Sequence, residues 1–465
     1  FTSSALPGQR ARGDWGGIVI CGKARTNHPG GQAAIEGGIA ESTPGGRGWF
    51  GGQDDEDSSG SLQFVRIEFA GIAVAPNNEL NSLTMGGVGR KTVLNNIQVS
   101  YGNDDGFEWF GGTVNAKRLI SYGILDDDFD TDNGFSGSVQ YGIVQRFRTV
   151  ADVSTSQAFE SDNDANASYN QPFTSAVFSN VTAIGPLQDT TWTTGGGANQ
   201  YNARFGAAAQ VRRNSRQSIL NSVFVGWPRG FEFAQLPTMI AANGDSLEIR
   251  NNSWYGVKNA TLTLAGLSGG ATPPAGFDNT WLAKPAFNNI VDKSSPSVAM
   301  LANAFSNTVE FDPSPSAGSP VLNGAAFDGK GDNAFFDRVT FRGAIGLERW
   351  DLEWTEYDPV NREYKAQDPV SVNDNNVAPA FAGRVFPNPS SDACSIRYEL
   401  ASDDVVTIRV ADATGSLAST LLANQTQSGG VYEFRLNTSS LTSGMYYVTI
   451  TGRTGTITLP VTVAH

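Results

Sequence analysis

The chain has 465 residues, 39% of them hydrophobic and 17% charged, with 53 glycines and a formal net charge of −14. That length supports two or three domains with real cores, and the acidic balance argues against nucleic acid or an anionic membrane surface as a partner. No apolar run approaches bilayer length, so no transmembrane segment is expected. No signal peptide opens the chain and its first residue is Phe1, so a mature or trimmed product is expected. Thr, Ser, Asn and Val are plentiful and no long amphipathic helix is visible, which predicts an all-β protein. The cysteines, Cys21 and Cys394, fall in different predicted domains; Cys21, inside the apolar strand Gly17-Ile18-Val19-Ile20-Cys21, is expected to be a small core residue.

Residues 1–290 carry a recurring unit of alternating apolar residues closed by glycine. It reads Val65-Arg66-Ile67-Glu68-Phe69-Ala70-Gly71, Ile97-Gln98-Val99-Ser100-Tyr101-Gly102 and Leu119-Ile120-Ser121-Tyr122-Gly123. It returns at Val181 to Gly185, Ser222 to Gly226 and Asn252 to Gly256, and Asn often precedes it, as at Asn95-Asn96, Asn180, Asn221 and Asn251. Gly102 and Gly123 are 21 residues apart; the longer gaps need insertions or unrecognised coils. A period-two strand returning at that interval buries its inner face only when copies stack. The pattern predicts a right-handed parallel β-helix; a β-propeller blade needs about 40 residues, more than the interval allows.

Within this region lies an acidic ladder. Asp104-Asp105-Gly106-Phe107-Glu108 aligns with Asp126-Asp127-Asp128-Phe129-Asp130 at an offset of 22 residues, and Phe159-Glu160 and Gly230-Phe231-Glu232 repeat the Phe-acid pair. Strand neighbours face opposite sides, so each Phe points inward and its acid outward, stacking the acids at about 4.8 Å per coil. Such a column needs solvent, arginine, a cation or a shared proton. Calcium is the candidate cofactor, because Asp128, Asp130 and Asp132, followed by Gly134, place oxygen ligands at alternate positions, as do Asp162 and Asp164. The metal-ligand candidates are therefore Asp104, Asp105, Asp126, Asp127, Asp128, Asp130, Asp132, Glu160, Asp162 and Asp164. Solvated turn acids capping local backbone are the plainer alternative.

An enzyme reading stays open beside these. A glycosidase needs two carboxyls about 5 to 9 Å apart, for which Asp105, Asp127 and Glu160 are candidates; a lyase needs calcium plus a basic residue, with Arg146, Arg148 or Arg212 available. No glycosidase motif surrounds the acids, and with only His28 and His465 a Ser-His-Asp triad or zinc site has almost nothing to use. Trp109, Trp192, Trp227 and Trp254 are expected in core or rim packing rather than as a sugar-stacking face.

Residues 291–367 lose the repeat and read as an irregular cap over the end of the solenoid, with Leu347 to Tyr357 at roughly helical spacing. Residues 368–380, with Asn373-Asp374-Asn375-Asn376, read as a linker. Residues 381–465 change character. Phe386-Pro387-Asn388-Pro389 precedes the strand-like runs Cys394 to Leu400 and Val405 to Val410, a turn at Asp412-Ala413-Thr414-Gly415, and Leu441 to Val448. Short alternating strands broken by Gly, Asn and Asp predict a small immunoglobulin-like antiparallel sandwich.

The order of these last pieces resembles the C-terminal sorting domain, type A, of the type IX secretion system. That resemblance implies export across the outer membrane of a Bacteroidetes-like bacterium, to the surface or beyond, with the secretion machinery as a partner. The basic tail usual in the family is absent here, where the chain ends Pro460-Val461-Thr462-Val463-Ala464-His465. The first region resembles exported β-helix proteins of the same bacteria through Gly13-Asp14-Trp15-Gly16-Gly17-Ile18-Val19-Ile20, Asn103 to Gly112 and Phe159 to Asp164; that family lends no established chemistry. In such relatives Phe-Thr-Ser closes an earlier strand, so Phe1-Thr2-Ser3 implies a start part-way through the solenoid. The expected function is a non-catalytic structural or adhesive surface protein. Self-association head to tail into filaments and a surface glycan are the candidate interactions, with a calcium-dependent polysaccharide lyase or glycoside hydrolase as the alternative.

Overall fold

The computed structural model describes residues 1–37, 40, 45–75, 78–364, 381–400, 402–412, 416–453 and 455–465. The chain divides into two compact units, Phe1–Glu363 and Tyr364–His465. The predicted linker at 368–380 and the turn at 413–415 lie outside the described residues.

The first unit is a parallel β-helix. Strands are laid down alternately into two sheets, each strand pairing in parallel with the one a coil before it. The first sheet runs Ile18–Cys21, Leu83–Gly86, Phe107–Phe110, Phe129–Asp132, Phe159–Ser161, Ala207–Val211, Arg229–Ala234 and Leu262–Ala265. The second runs Ser61–Glu68, Val93–Ser100, Ala116–Tyr122, Ser138–Gln145, Val177–Ile184, Val223–Val225, Ser253–Tyr255 and Ile290–Asp292. All six glycine-closed units recognised in the sequence fall on this second sheet or its ends. The long gap after Gly123 contains an unrecognised coil, Ser138–Gln145, whose Gln145 leads into Arg146 where other coils have glycine.

Between the sheets, Phe107, Phe129 and Phe159 stack at 5.6 and 5.3 Å between ring centroids, with Trp109 and Phe178 packed against them. Trp109, Trp227 and Trp254 are fully buried and Trp192 is partly buried at the rim. Cys21 departs from expectation: it ends the edge strand of the first sheet, exposed, while Cys394 is buried and both are free thiols.

The asparagines before the second-sheet strands have a backbone reason. Asn96, Asn180, Asn221, Asn251 and Asn288 occupy equivalent registers with φ between 51° and 58°. Asn tolerates this left-handed conformation better than other residues with a Cβ. Their amides then tie down the segment outside the sheet: Asn180 Nδ2 donates to Phe341 O at 2.9 Å, and Asn221 exchanges two hydrogen bonds with Ala326.

That outer segment is residues 293–363, and here the cap expected over 291–367 is corrected. It runs back along the outer face of the second sheet toward the first coil. It contacts Ser253 through Arg342, then Thr182 through Ala344 N–H, Gln98 through Glu356 and Arg66 through the Trp354 carbonyl. Apolar side chains on that face cause this: Ile120, Tyr122, Ile143 and Ile184 need cover, and Phe311, Ala344, Ile345 and Tyr357 supply it. Beyond the last strand of the first sheet, Phe277, Trp281 and Phe287 pack under Phe233 and close the core there. Leu347 to Tyr357 forms turns rather than a helix, with Trp354 Nε1 donating to Trp350 O.

The second unit is an antiparallel sandwich. Phe381–Phe386, Ala393–Leu400 and Gly430–Asn437 form one sheet; Leu417–Gln427, Asp404–Asp412, Gly444–Thr451 and Thr456–Val463 form the other. Ile396, Tyr398, Val406, Ile408, Val410, Val448, Ile450 and Val461 alternate inward to make its core.

Candidate functional site: an acidic cavity on the first sheet

The register of the first sheet brings the acids together. Phe107 pairs with Phe129 and Phe129 with Phe159, so Glu108, Asp130 and Glu160 form one outward column, continued by Gln210 and Glu232. Two residues before each phenylalanine, a second column forms in the turns. Asn81 Oδ1 accepts from Asp105 N–H at 3.3 Å, Asp105 Oδ1 from Asp127 N–H at 2.8 Å, and Asp127 Oδ1 from Gln157 N–H at 2.5 Å.

The two columns line a cavity of about 170 Å³ with Glu36, Asp104, Asp105, Glu108, Asp126, Asp127, Asp130 and Glu160 in its wall; Arg212 is the cation of that lining. Oxygens of Asp104, Asp105 and Asp126 lie within 4.8 Å of one another, as do those of Asp105, Glu108 and Asp130. Like charges about 5 Å apart near a protein surface repel by about 3 kcal/mol. Burial, then the charges of neighbouring acids, hold Asp105, Glu108, Asp127 and Asp130 well above the usual carboxylate range. Burial raises Asp126 to about 6, against hydrogen bonding from Ser154, and Glu160 to about 7, against the pull of Arg212.

The backbone ladder needs only an acceptor oxygen, and Asn81 supplies one as a neutral amide at the head of the column. Charge at Asp105 and Asp127 is thus more than the turns require. Asp126 Oδ1 and Asp130 Oδ1 are buried with no hydrogen-bond partner among the described residues. A set of hard carboxylate oxygens with such orphans fits a cation of the calcium class.

Not every predicted ligand joins this cluster. Asp128 turns inward, its carboxylate fully buried against Ser121 and, at 3.1 Å, Arg146; burial pushes it to about 6. The alternating set Asp128, Asp130 and Asp132 therefore does not converge, because the first of the three is spent on an internal ion pair. Asp132, raised to about 8 by burial and then by Asp162, lies outside the cavity wall. Asp162 is held by Arg212 at 2.9 Å and Arg213 at 2.6 Å. Although burial opposes it, hydrogen bonds from Ser168 and Asn166 hold Asp164 below the usual carboxylate value. Arg212 also pairs with Glu160, and Arg148 donates to the carbonyls of Gly197 and Gln200.

Four cavity residues escaped the sequence reading: Asn81, Glu36, Thr155 and Ser154, whose Oγ donates to Asp126 Oδ2 at 2.8 Å. Asn81 was legible: Asn81-Ser82-Leu83-Thr84 aligns with Asp105-Gly106-Phe107-Glu108 in the sheet register. Glu36 arrives from a separate loop, bonded to Asn81 Nδ2 at 2.7 Å, and carries no repeat signal.

Residues 1–269 match the family described as the pectate-lyase-like β-helix domain, more than half of the chain. The chain belongs to that family. Residues 384–463 match the secretion-system C-terminal sorting domain. The β-helix protein is thus an exported cargo of a type IX secretion system, destined for the cell surface or the exterior and handled by that machinery. Among the described residues no helix is long and apolar enough to cross a membrane. No curated protein matches the sequence.

Proposed function

We propose that this exported β-helix is a non-catalytic surface protein of structural or adhesive type, whose first sheet binds calcium in the acidic cavity. The observation that carries the reading is the convergence of two carboxylate triads that share Asp105. A volume of about 170 Å³ has room for an ion and a few waters at ~30 Å³ each. It falls below the roughly 300 Å³ where organic ligand pockets begin. Arg212, the cation of the lining, is tied to Glu160 and Asp162 rather than free to take a proton. Calorimetric titration of chelated protein with calcium tests this: saturable binding weakened by Asp105→Asn is expected, and no heat above dilution would refute it.

Assembly belongs to the same reading. Ile18–Cys21 and Ser61–Glu68 each have a single strand neighbour in their sheets, and Phe1 makes two backbone hydrogen bonds along the second of these edges. Exposed edges invite another strand, and a contact between two different surfaces of identical copies propagates into filaments unless it closes. Sedimentation over rising concentration should show growing assemblies; a single monomeric species throughout would end this part.

A second reading is favoured by the family and by Asp126 and Glu160, whose values of about 6 and 7 suit acid–base work near neutrality. It is calcium-dependent cleavage of an acidic polysaccharide, by elimination or hydrolysis. New reducing ends or unsaturated products that vanish with Glu160→Gln would replace the first reading by this one.

A further inference from the structure

The column of left-handed asparagines on the second sheet is broken at the first coil, where Phe64 stands with φ 55° against Trp354 of the outer segment, and again at two adjacent coils. Where five coils carry asparagine, Arg118 stands with φ 60° and Tyr141 with φ 65°. A bulky side chain is unfavourable there, and such strain persists where the side chain has another use. At Asn180, Asn221 and Asn251 the amides draw the outer segment onto the sheet. Beside Arg118 and Tyr141 the segment is held by Gln140 and Lys117, which both bond Asp337, and a cavity of about 600 Å³ opens next to these contacts.

The lining of this cavity is amphipathic. Phe341 stacks on Tyr141 with centroids 6.4 Å apart, the Arg118 guanidinium lies 5.7 Å over the Tyr141 ring, and Trp350 closes another side. Trp350 is itself held, its Nε1 donating to Ala344 O at 2.8 Å. Arg118 offers donors, exposed Glu348 offers acceptors, and Thr340 and Asn323 offer both. Aromatic faces beside mixed donors and acceptors match the two sides of a pyranose, apolar C–H face and hydroxyl rim. The volume lies within the range of small-ligand pockets. One arginine offset by one glutamate, on a protein of net charge −14, disfavours an acidic sugar.

We infer that this cavity binds a neutral hexose unit of a glycan outside the cell, with Tyr141 and Trp350 as stacking surfaces and Arg118 as hydroxyl donor. The site is separate from the acidic cavity and needs no cation, so it is tested in chelator, where failure leaves the calcium reading untouched. Neutral hexose tetrasaccharides and their uronic counterparts are titrated calorimetrically into the full chain. Saturable binding of a neutral tetrasaccharide is expected, weakened about tenfold or more by Tyr141→Asn and by Arg118→Asn. Because asparagine is the residue five coils use at this position, Arg118→Asn is expected to melt no lower than the parent, whereas Tyr141→Asn also loses a buried ring packed on Phe341 and is expected to melt lower while staying folded. Absence of binding by every neutral tetrasaccharide, preference for the uronic series, or binding that survives both substitutions would overturn the inference.

Discussion

Asp105 accepts the backbone N–H of Asp127 through Oδ1 at 2.8 Å, so a carboxyl side chain holds the turn of the next coil. Asn81 makes the corresponding bond to Asp105 with an amide. At pH above the raised titration of Asp105, Asp105→Asn should therefore keep the backbone bond and remove one charge from a crowded wall. We expect the calcium-free protein to gain about 1–4 kcal/mol, the span for like charges about 4 Å apart between water and protein-surface conditions. The stabilisation by added calcium should fall at the same time. Urea unfolding of both proteins, with and without calcium, checks this; a destabilised apo variant would mean that the charge itself supports the turn.

The raised carboxylates give stability a pH dependence of definite sign. Their folded values lie above their unfolded ones, so the folded state binds more protons, and their contribution is fully present at low pH. It is lost as pH rises through about 6 for Asp126, about 7 for Glu160 and about 8 for Asp132. In chelator the melting temperature should fall between roughly pH 5 and 8. Excess calcium should flatten that fall, because it binds the deprotonated form. Parallel slopes with and without calcium would show that these acids do not hold it.

Arg146 and Asp128 form an ion pair with both side chains fully buried, and Arg146 also donates to the carbonyls of Asp126 and Leu125. Arg146→Met should cost about 3–5 kcal/mol by leaving Asp128 buried without its counter-charge. Adding Asp128→Asn should recover part of the loss. Chemical denaturation of the single and double variants measures the coupling, and additive losses would show that the pair acts as two independent groups.

Phe129 stacks between Phe107 and Phe159 and packs on Phe178, so Phe129→Ala should open a cavity in the solenoid core and cost about 3–5 kcal/mol. A loss under 1 kcal/mol, read by urea unfolding, would mean that the coils close over the gap.

Cys21 is exposed and Cys394 buried, so alkylation of the native protein should label Cys21 first and Cys394 only on unfolding. Peptide mapping by mass spectrometry identifies the labelled site.

The sequence by itself determined whatever depends on strand alternation and on the length of one coil. Phenylalanine inward and acid outward, the 22-residue step from Phe107 to Phe129, and the strands of the sorting sandwich all follow from period-two patterning. Near neighbours within and between adjacent coils reproduce that patterning, so it can be read along the chain. Tertiary structure decided which acids face one another. Asp128 was lost to Arg146 inside the coil, Asp162 to Arg212 and Arg213 from the coil beyond, and Glu36 was brought in from a loop. It also decided that residues 293–363 lie along the sheet rather than over its end. Gln98 meets Glu356 across 258 positions of chain, a contact that no local period encodes and that only the exposed apolar face of the second sheet selects.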